Sequence, residues 1–189
     1  MIKLICTDID GTLVEDGTDK INTELFDVIK QLKEKGIMFA AASGRQYNSM
    51  RALFDPVAND MIFIAEGGNL VMCREEVMAI SQMDKEVIRE LIHDIEAIPG
   101  CNALLCGPSE GYAKQDAKEL IDLLTNGYHY QLKVVEDLTT VLDVTIIKVA
   151  LYHNEGNADE IARIGLAPKW EKRQEIEMVC AGRQWTALS

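Results

Sequence analysis

The chain has no apolar run long enough to cross a bilayer. Its longest runs, such as Met38 to Ala42 and Met61 to Ala65, fall far short of the roughly 18 residues that a spanning helix needs. The opening stretch, Met1 to Asp8, is too short and too soon acidic to read as a signal peptide. Positive charge is also scarce: 19 Lys and Arg stand against 31 Asp and Glu, a net charge of −12. That balance excludes the basic footprint of a protein that binds nucleic acid or an anionic membrane. The one basic cluster is Lys169, Lys172 and Arg173, interrupted by Trp170 and Glu171, and it reads as a solvated face.

Paired cysteines and clustered histidines are missing as well. Cys6, Cys73, Cys101, Cys106 and Cys180 have no regular spacing, and an odd count argues against a disulfide framework. Cys101 and Cys106 lack the two-residue gap of zinc and redox motifs. His93, His129 and His153 are scattered. The thiols read as small core residues in a reducing compartment, which makes a cytoplasmic location the expectation. What remains is ordinary globular usage, 48% hydrophobic and 26% charged over 189 residues. That suits one large domain or two small ones.

Three apolar segments of strand length, Lys3–Thr7, Ile37–Ala42 and Met61–Ala65, alternate with two helical patterns. The first helix begins at Asn22 or Thr23 and places Leu25, Val28, Ile29 and Leu32 on one face before Gly36 stops it. The second spans Tyr47 to Phe54, ahead of Pro56. This alternation predicts an α/β fold with a parallel sheet and helical crossovers. Continuous apolar strands suit burial on both faces. In such sheets ligands bind beyond the carboxyl ends of the strands. The loops Asp8–Thr12, Ser43–Arg45 and Glu66–Gly68 should therefore meet. Beyond about Met78 the pattern changes. Asp84–Ile98 reads as a helix, Cys101–Leu105 as a strand turning at Gly107-Pro108, and Ala117–Leu124 as a helix. Val144–Tyr152 reads as a strand, Ala158–Ile164 as a helix and Ile176–Cys180 as a strand. This half reads as a mostly antiparallel sheet covered by helices, with the boundary near residues 74–81.

The sharpest chemistry lies in Asp8-Ile9-Asp10-Gly11-Thr12-Leu13. Two carboxylates two residues apart at a strand end would point the same way, and their repulsion needs a cation or hydrogen-bond donors to offset it. A hard divalent cation with oxygen ligands would do so. Gly11 lets the backbone turn sharply, and Thr12 offers a hydroxyl and an amide proton. A carboxylate beside a bound phosphate can act as a nucleophile and form an acyl phosphate.

These residues resemble the haloacid dehalogenase superfamily of phosphohydrolases. Asp8 to Leu13 is similar to its first motif and Ala42-Ser43-Gly44-Arg45 to its second, while Ile62 to Asn69 resembles the third-strand segment of the Cof-like branch, with Gly67-Gly68 where that branch commonly has Asn-Gly. The resemblance implies a Rossmann-like, parallel, three-layer core over residues 1–78 and an inserted α/β cap over residues 79–189. It implies Asp8 as nucleophile and Mg2+ ligand. Asp10 would be the acid and base, with its backbone carbonyl on the metal. Thr12, Ser43, Gly44 and Arg45 would serve the substrate phosphate. The implied activity is a magnesium-dependent phosphatase of small phosphorylated metabolites, sugar phosphates or nucleotides. A phosphomutase and a non-catalytic phosphate-binding fragment are open alternatives.

The family's lysine and its later acidic metal-binding loop have no match after residue 78. Lys148, in Ile146 to Ala150, reads as part of a cap strand. The expectation is a chain that lacks the C-terminal part of the core. Residues 3–8 would then form an unpaired apolar edge, through which a homo-oligomer would assemble.

Overall fold

In a computed structural model of the chain, β1 (Leu4–Asp8), β2 (Met38–Ala42) and β3 (Met61–Ala65) lie side by side and parallel. Their ends are level: Asp8 stands beside Ala42, and Ala42 beside Ile64. The structure describes residues 1–15, 20–170, 178–180 and 185–188. Gly17, Lys172, Arg173 and the first two residues of the expected strand 176–180 lie outside that set.

The crossovers are α1 (Glu24–Glu34) and α2 (Tyr47–Leu53). Both feed one aromatic cluster, in which Phe26 and Phe63 each meet Phe54 edge-on and Tyr47 meets Phe63. The packing of Phe26 on Phe54 turns α1 so that Ile29 is buried and Val28, expected on the inner face, is 47% exposed. Full burial of each strand on both faces is not observed. β3 alternates, with Met61, Phe63 and Ala65 buried and Ile62 and Ile64 intermediate. Among the described residues β1 is an edge strand paired only with β2, and its Leu4 and Ile5 are exposed.

A hairpin extends the sheet beyond β3. β4 (Leu70–Cys73) and β5 (Glu76–Ile80) add antiparallel, in the order β1-β2-β3-β4-β5. Its two-residue turn, Arg74-Glu75, has positive φ at both positions (51 and 66). Such turns normally announce themselves by Asn or Gly, so nothing in the sequence marked this one. β5 lies within residues 74–81, where the boundary is expected. It runs through residue 78 while hydrogen-bonded to β4, and the chain forms two compact units, 1–81 and 82–189.

The second unit opens with α3 (Lys85–Glu96), capped by Asp84, whose carboxylate accepts from the amides of Glu86 and Val87. Its periodic face, Val87, Ile88, Leu91, Ile92 and Ile95, is buried throughout. A six-stranded sheet follows, from β6 (Cys101–Cys106), β7 (Gly111–Lys114), β8 (Leu132–Val135), β9 (Lys148–His153), β10 (Met178–Cys180) and β11 (Trp185–Leu188). The order is β10-β11-β9-β6-β7-β8, antiparallel except between β7 and β8. One core gathers α3 with Leu105, Val149, Leu151 and Trp170. Another gathers Leu104, Ala113 and Ala150 with Leu120 of α4 (Lys118–Asp122). Short helices α5 (Ala158–Ile161) and α6 (Ala167–Trp170) follow β9.

The expected strand from Val144 starts only at Lys148. Ile146 and Ile147 are buried, but their main-chain bonds go to Met83 and Cys106 rather than into a ladder. Among the described residues no helix is long and apolar enough to cross a membrane.

Candidate active site

The loop after β1 turns tightly because one carbonyl gathers three amides. The N–H groups of Thr12, Leu13 and Val14 all donate to Ile9 O, and Gly11 N–H donates to Val14 O. Ile9 and Val14 are buried and anchor the loop. Gly11 sits at φ +74, a conformation that a side chain would strain. The Thr12 amide is therefore committed to the loop, and its hydroxyl lies 3.5 Å from Asp8 Oδ2. A cleft along Gly11 to Glu15, with Lys20 and Asn22, opens beside this turn.

The two acidic side chains have different surroundings. Asp8 closes β1 and is exposed. Asp10, beyond the buried Ile9, is turned onto the second loop. Its Oδ2 accepts the Ser43 hydroxyl at 3.0 Å. The Arg45 guanidinium donates to the same carboxylate, from Nε to Oδ1 at 3.0 Å and to Oδ2 at 3.3 Å, and from Nη2 to Oδ1 at 2.7 Å. The charge of Asp10 is thus offset from within the chain, by a cation and a hydroxyl brought from β2. The family resemblance implies Arg45 as a phosphate group's partner. Its side chain is only 7% exposed and is directed at Asp10.

Ser43 also accepts the Arg45 amide at 3.1 Å. The second and third loops are joined through the main chain: Glu66 N–H donates to Arg45 O, and Gly67 N–H to Ser43 O. The three strand-end loops therefore meet, as the pattern of strands and helices implied. Gly44 stands exposed on the second loop, with no heavy atom within 4 Å of where a side chain would begin. Glu66 escaped the sequence analysis. It is fully buried at φ +54, and a lone acid before two glycines carries no signal of that burial.

Whether these residues suit a metal can be judged from their donors. All are oxygens, which fits a hard cation such as Mg2+. The Asp8 carboxylate is accessible, while the Asp10 side chain is taken by Ser43 and Arg45, leaving its main-chain carbonyl. No group of three or more His, Cys, Asp or Glu side chains converges among the described residues. The set fits Mg2+ in kind, because Mg2+ often binds through one or two carboxylates with water and substrate phosphate completing the shell.

Three parallel strands of an α/β unit thus end in loops that carry an Asp-x-Asp pair, a serine and an arginine. The haloacid dehalogenase-like hydrolase family matches residues 5–178. The chain belongs to that family. It is 25% identical over 143 residues to 5-amino-6-(5-phospho-D-ribitylamino)uracil phosphatase YbjI of Escherichia coli, covering 76% of this chain and 53% of that protein. It is 34% identical over 91 residues to phosphoglycolate phosphatase 1 of Saccharolobus solfataricus, covering 48% of this chain and 40% of the relative. The chain thus spans about half the length of these relatives. A solved structure from Eubacterium rectale superposes with a TM-score of 0.84 at 31% identity, over all of this chain and 70% of the other. A sugar phosphatase of HAD subclass IIB shares the fold, with a TM-score of 0.74 at 19% identity over 99% of this chain and 69% of the other.

Proposed function

We propose that the chain carries the phosphoryl-transfer site of a phosphatase for small phosphorylated metabolites. The observation that carries this reading is the bond from Ser43 to Asp10 at 3.0 Å. It brings the acidic motif and the serine motif, 33 residues apart, into one place. The names of the relatives, both phosphatases of small phosphorylated molecules, support the same class.

In this reading the exposed Asp8 carboxylate attacks phosphorus and forms an aspartyl phosphate. Asp10 in its carboxylic acid form gives its proton to the departing alcohol oxygen, and the carboxylate left behind then takes one from the water that cleaves the acyl phosphate, restoring the acid. Ser43 turns its hydroxyl to a phosphoryl oxygen, and the nearby Gly44 leaves room for the group. The Asp8 carboxylate and the Asp10 main-chain carbonyl would hold Mg2+, which neutralises phosphoryl charge when bound. The second unit would act as a cap that selects the leaving group. The exposed edge β1 would be the surface for a second copy. The thiols of Cys6, Cys73 and Cys101, which form no disulfide, support a reducing, cytoplasmic setting.

A second reading, a phosphate-binding fragment without turnover, is favoured by one observation: the Asp10 side chain is already held by Ser43 and Arg45, and among the described residues no three acidic, histidine or cysteine side chains converge. Hydrolysis of p-nitrophenyl phosphate with Mg2+ separates the readings. The phosphatase reading expects phosphate release that falls about 10³-fold or more in Asp8→Asn. Release that survives this substitution would remove Asp8 as the nucleophile. Phosphate binding without release would favour the second reading.

A further inference from the structure

We propose that Arg45 is a positioning residue, which fixes the rotation of the Asp10 carboxylate while the phosphoryl group occupies Ser43. This rests on the reading above, and it gives Arg45 a role distinct from holding the phosphate.

The argument begins with the number of protons. A serine hydroxyl has one to donate. In the present arrangement Ser43 spends it on Asp10 Oδ2. A substrate phosphoryl oxygen can take that proton only if Asp10 gives it up. The remaining side-chain donors to Asp10 are then the Arg45 nitrogens, at 3.0 and 2.7 Å from Oδ1 and 3.3 Å from Oδ2. Two nitrogens on Oδ1, with Nε also reaching Oδ2, restrain the rotation of the carboxylate at several points, which a single hydroxyl cannot do.

The fork is itself held. The Arg45 amide donates to Ser43 Oγ at 3.1 Å, its carbonyl accepts from Glu66 at 3.0 Å, and its side chain is 7% exposed. An arginine serving as the ligand of an incoming anion would keep its nitrogens open to the cleft. Here the side chain is buried, with Nε and Nη2 on Asp10. Its effect on the reaction therefore runs through Asp10.

Orientation matters most where a proton must be delivered. As the bond from phosphorus to the ester oxygen breaks, its electron pair stays on that oxygen. The Asp10 carboxyl proton moves to the same oxygen, while an Asp8 oxygen bonds to phosphorus. An alkyl alkoxide needs that proton, and a p-nitrophenolate leaves without it.

The test compares the chain with Arg45→Met and Arg45→Lys, measuring kcat and KM with Mg2+ on p-nitrophenyl phosphate and on glycerol 2-phosphate. In Arg45→Met the alkyl-to-aryl ratio of kcat should fall about 30-fold, within the range that general acid catalysis contributes. KM for both esters should move by less than about threefold, because binding is not the role assigned. Arg45→Lys, which keeps the charge but loses the fork, should recover only a minor part of the ratio. It also serves as the readout should Arg45→Met not fold. Equal loss on both esters, a rise in KM alone, or full recovery by lysine would overturn the proposal. If the unsubstituted chain releases phosphate from neither ester, the phosphatase reading fails and the positioning role falls with it. If it is active and the ratio does not move, the positioning role alone fails.

Discussion

Ser43 donates its hydroxyl proton to Asp10 at 3.0 Å, and the same oxygen accepts the amide of Arg45 at 3.1 Å. One side chain thus ties the loop after β1 to the loop after β2 while bracing its own loop.

Ser43→Ala removes both bonds at a position 8% exposed. It leaves the Arg45 amide without this acceptor in a nearly dry place. A cost of about 1–2 kcal/mol is expected, read from urea unfolding followed by far-ultraviolet circular dichroism. Stability within about 0.3 kcal/mol of the parent would mean that water replaces both bonds fully.

Gly68 lies at φ +104, and a side chain there would meet no heavy atom within 4 Å. Gly68→Ala is therefore a test of backbone conformation free of steric contact. The substitution should destabilise the chain by about 1–2 kcal/mol. An unchanged or raised unfolding midpoint would mean that the loop relaxes to negative φ without cost.

Alkaline pH should weaken the second unit through Tyr112. Burial, and then the hydrogen bond to Glu110, pushes this phenol up to about 12 from an ordinary 10.0. Between those values the unfolded chain ionises first. The stability that Tyr112 contributes is whole below pH 10.0 and is lost as the pH rises toward 12. The melting temperature should fall over this window, and Tyr112→Phe should flatten the fall even if it lowers stability at neutral pH. Equal slopes in both proteins would show that the phenol titrates alike folded and unfolded.

The edge strand β1 should make the chain self-associate. Leu4 is 49% and Ile5 37% exposed beside main-chain groups with no strand partner on that side. Light scattering over a concentration series should show growth in mass. Ile5→Lys, a charge on the edge, should suppress it. A chain that stays monomeric throughout would remove this edge as an interface.

Much of the first unit was readable from residue order. β3 forms at the residues expected, and the loop after β2 begins at Ser43 as read. The short apolar strands and the glycines after them are local signals, and local propensity agrees with the final fold. The hairpin of β4 and β5 was not readable, because Arg74 and Glu75 take left-handed conformations that neither residue type announces. The burial of Glu66 was equally silent, since an acid is almost always solvated.

The sequence by itself determined the order of the three parallel strands and their two crossover helices, and from that order the meeting of three loops at one end of those strands. It also set the chemistry available there: carboxylates, a hydroxyl and a guanidinium. Only the tertiary structure decided how these groups divide their bonds. Asp8 and Asp10 are equivalent on paper, yet one is open to solvent and the other is gripped by Arg45 from 35 residues away. The physical reason is that a carboxylate's role depends on which donors reach it, and those donors arrive from another strand.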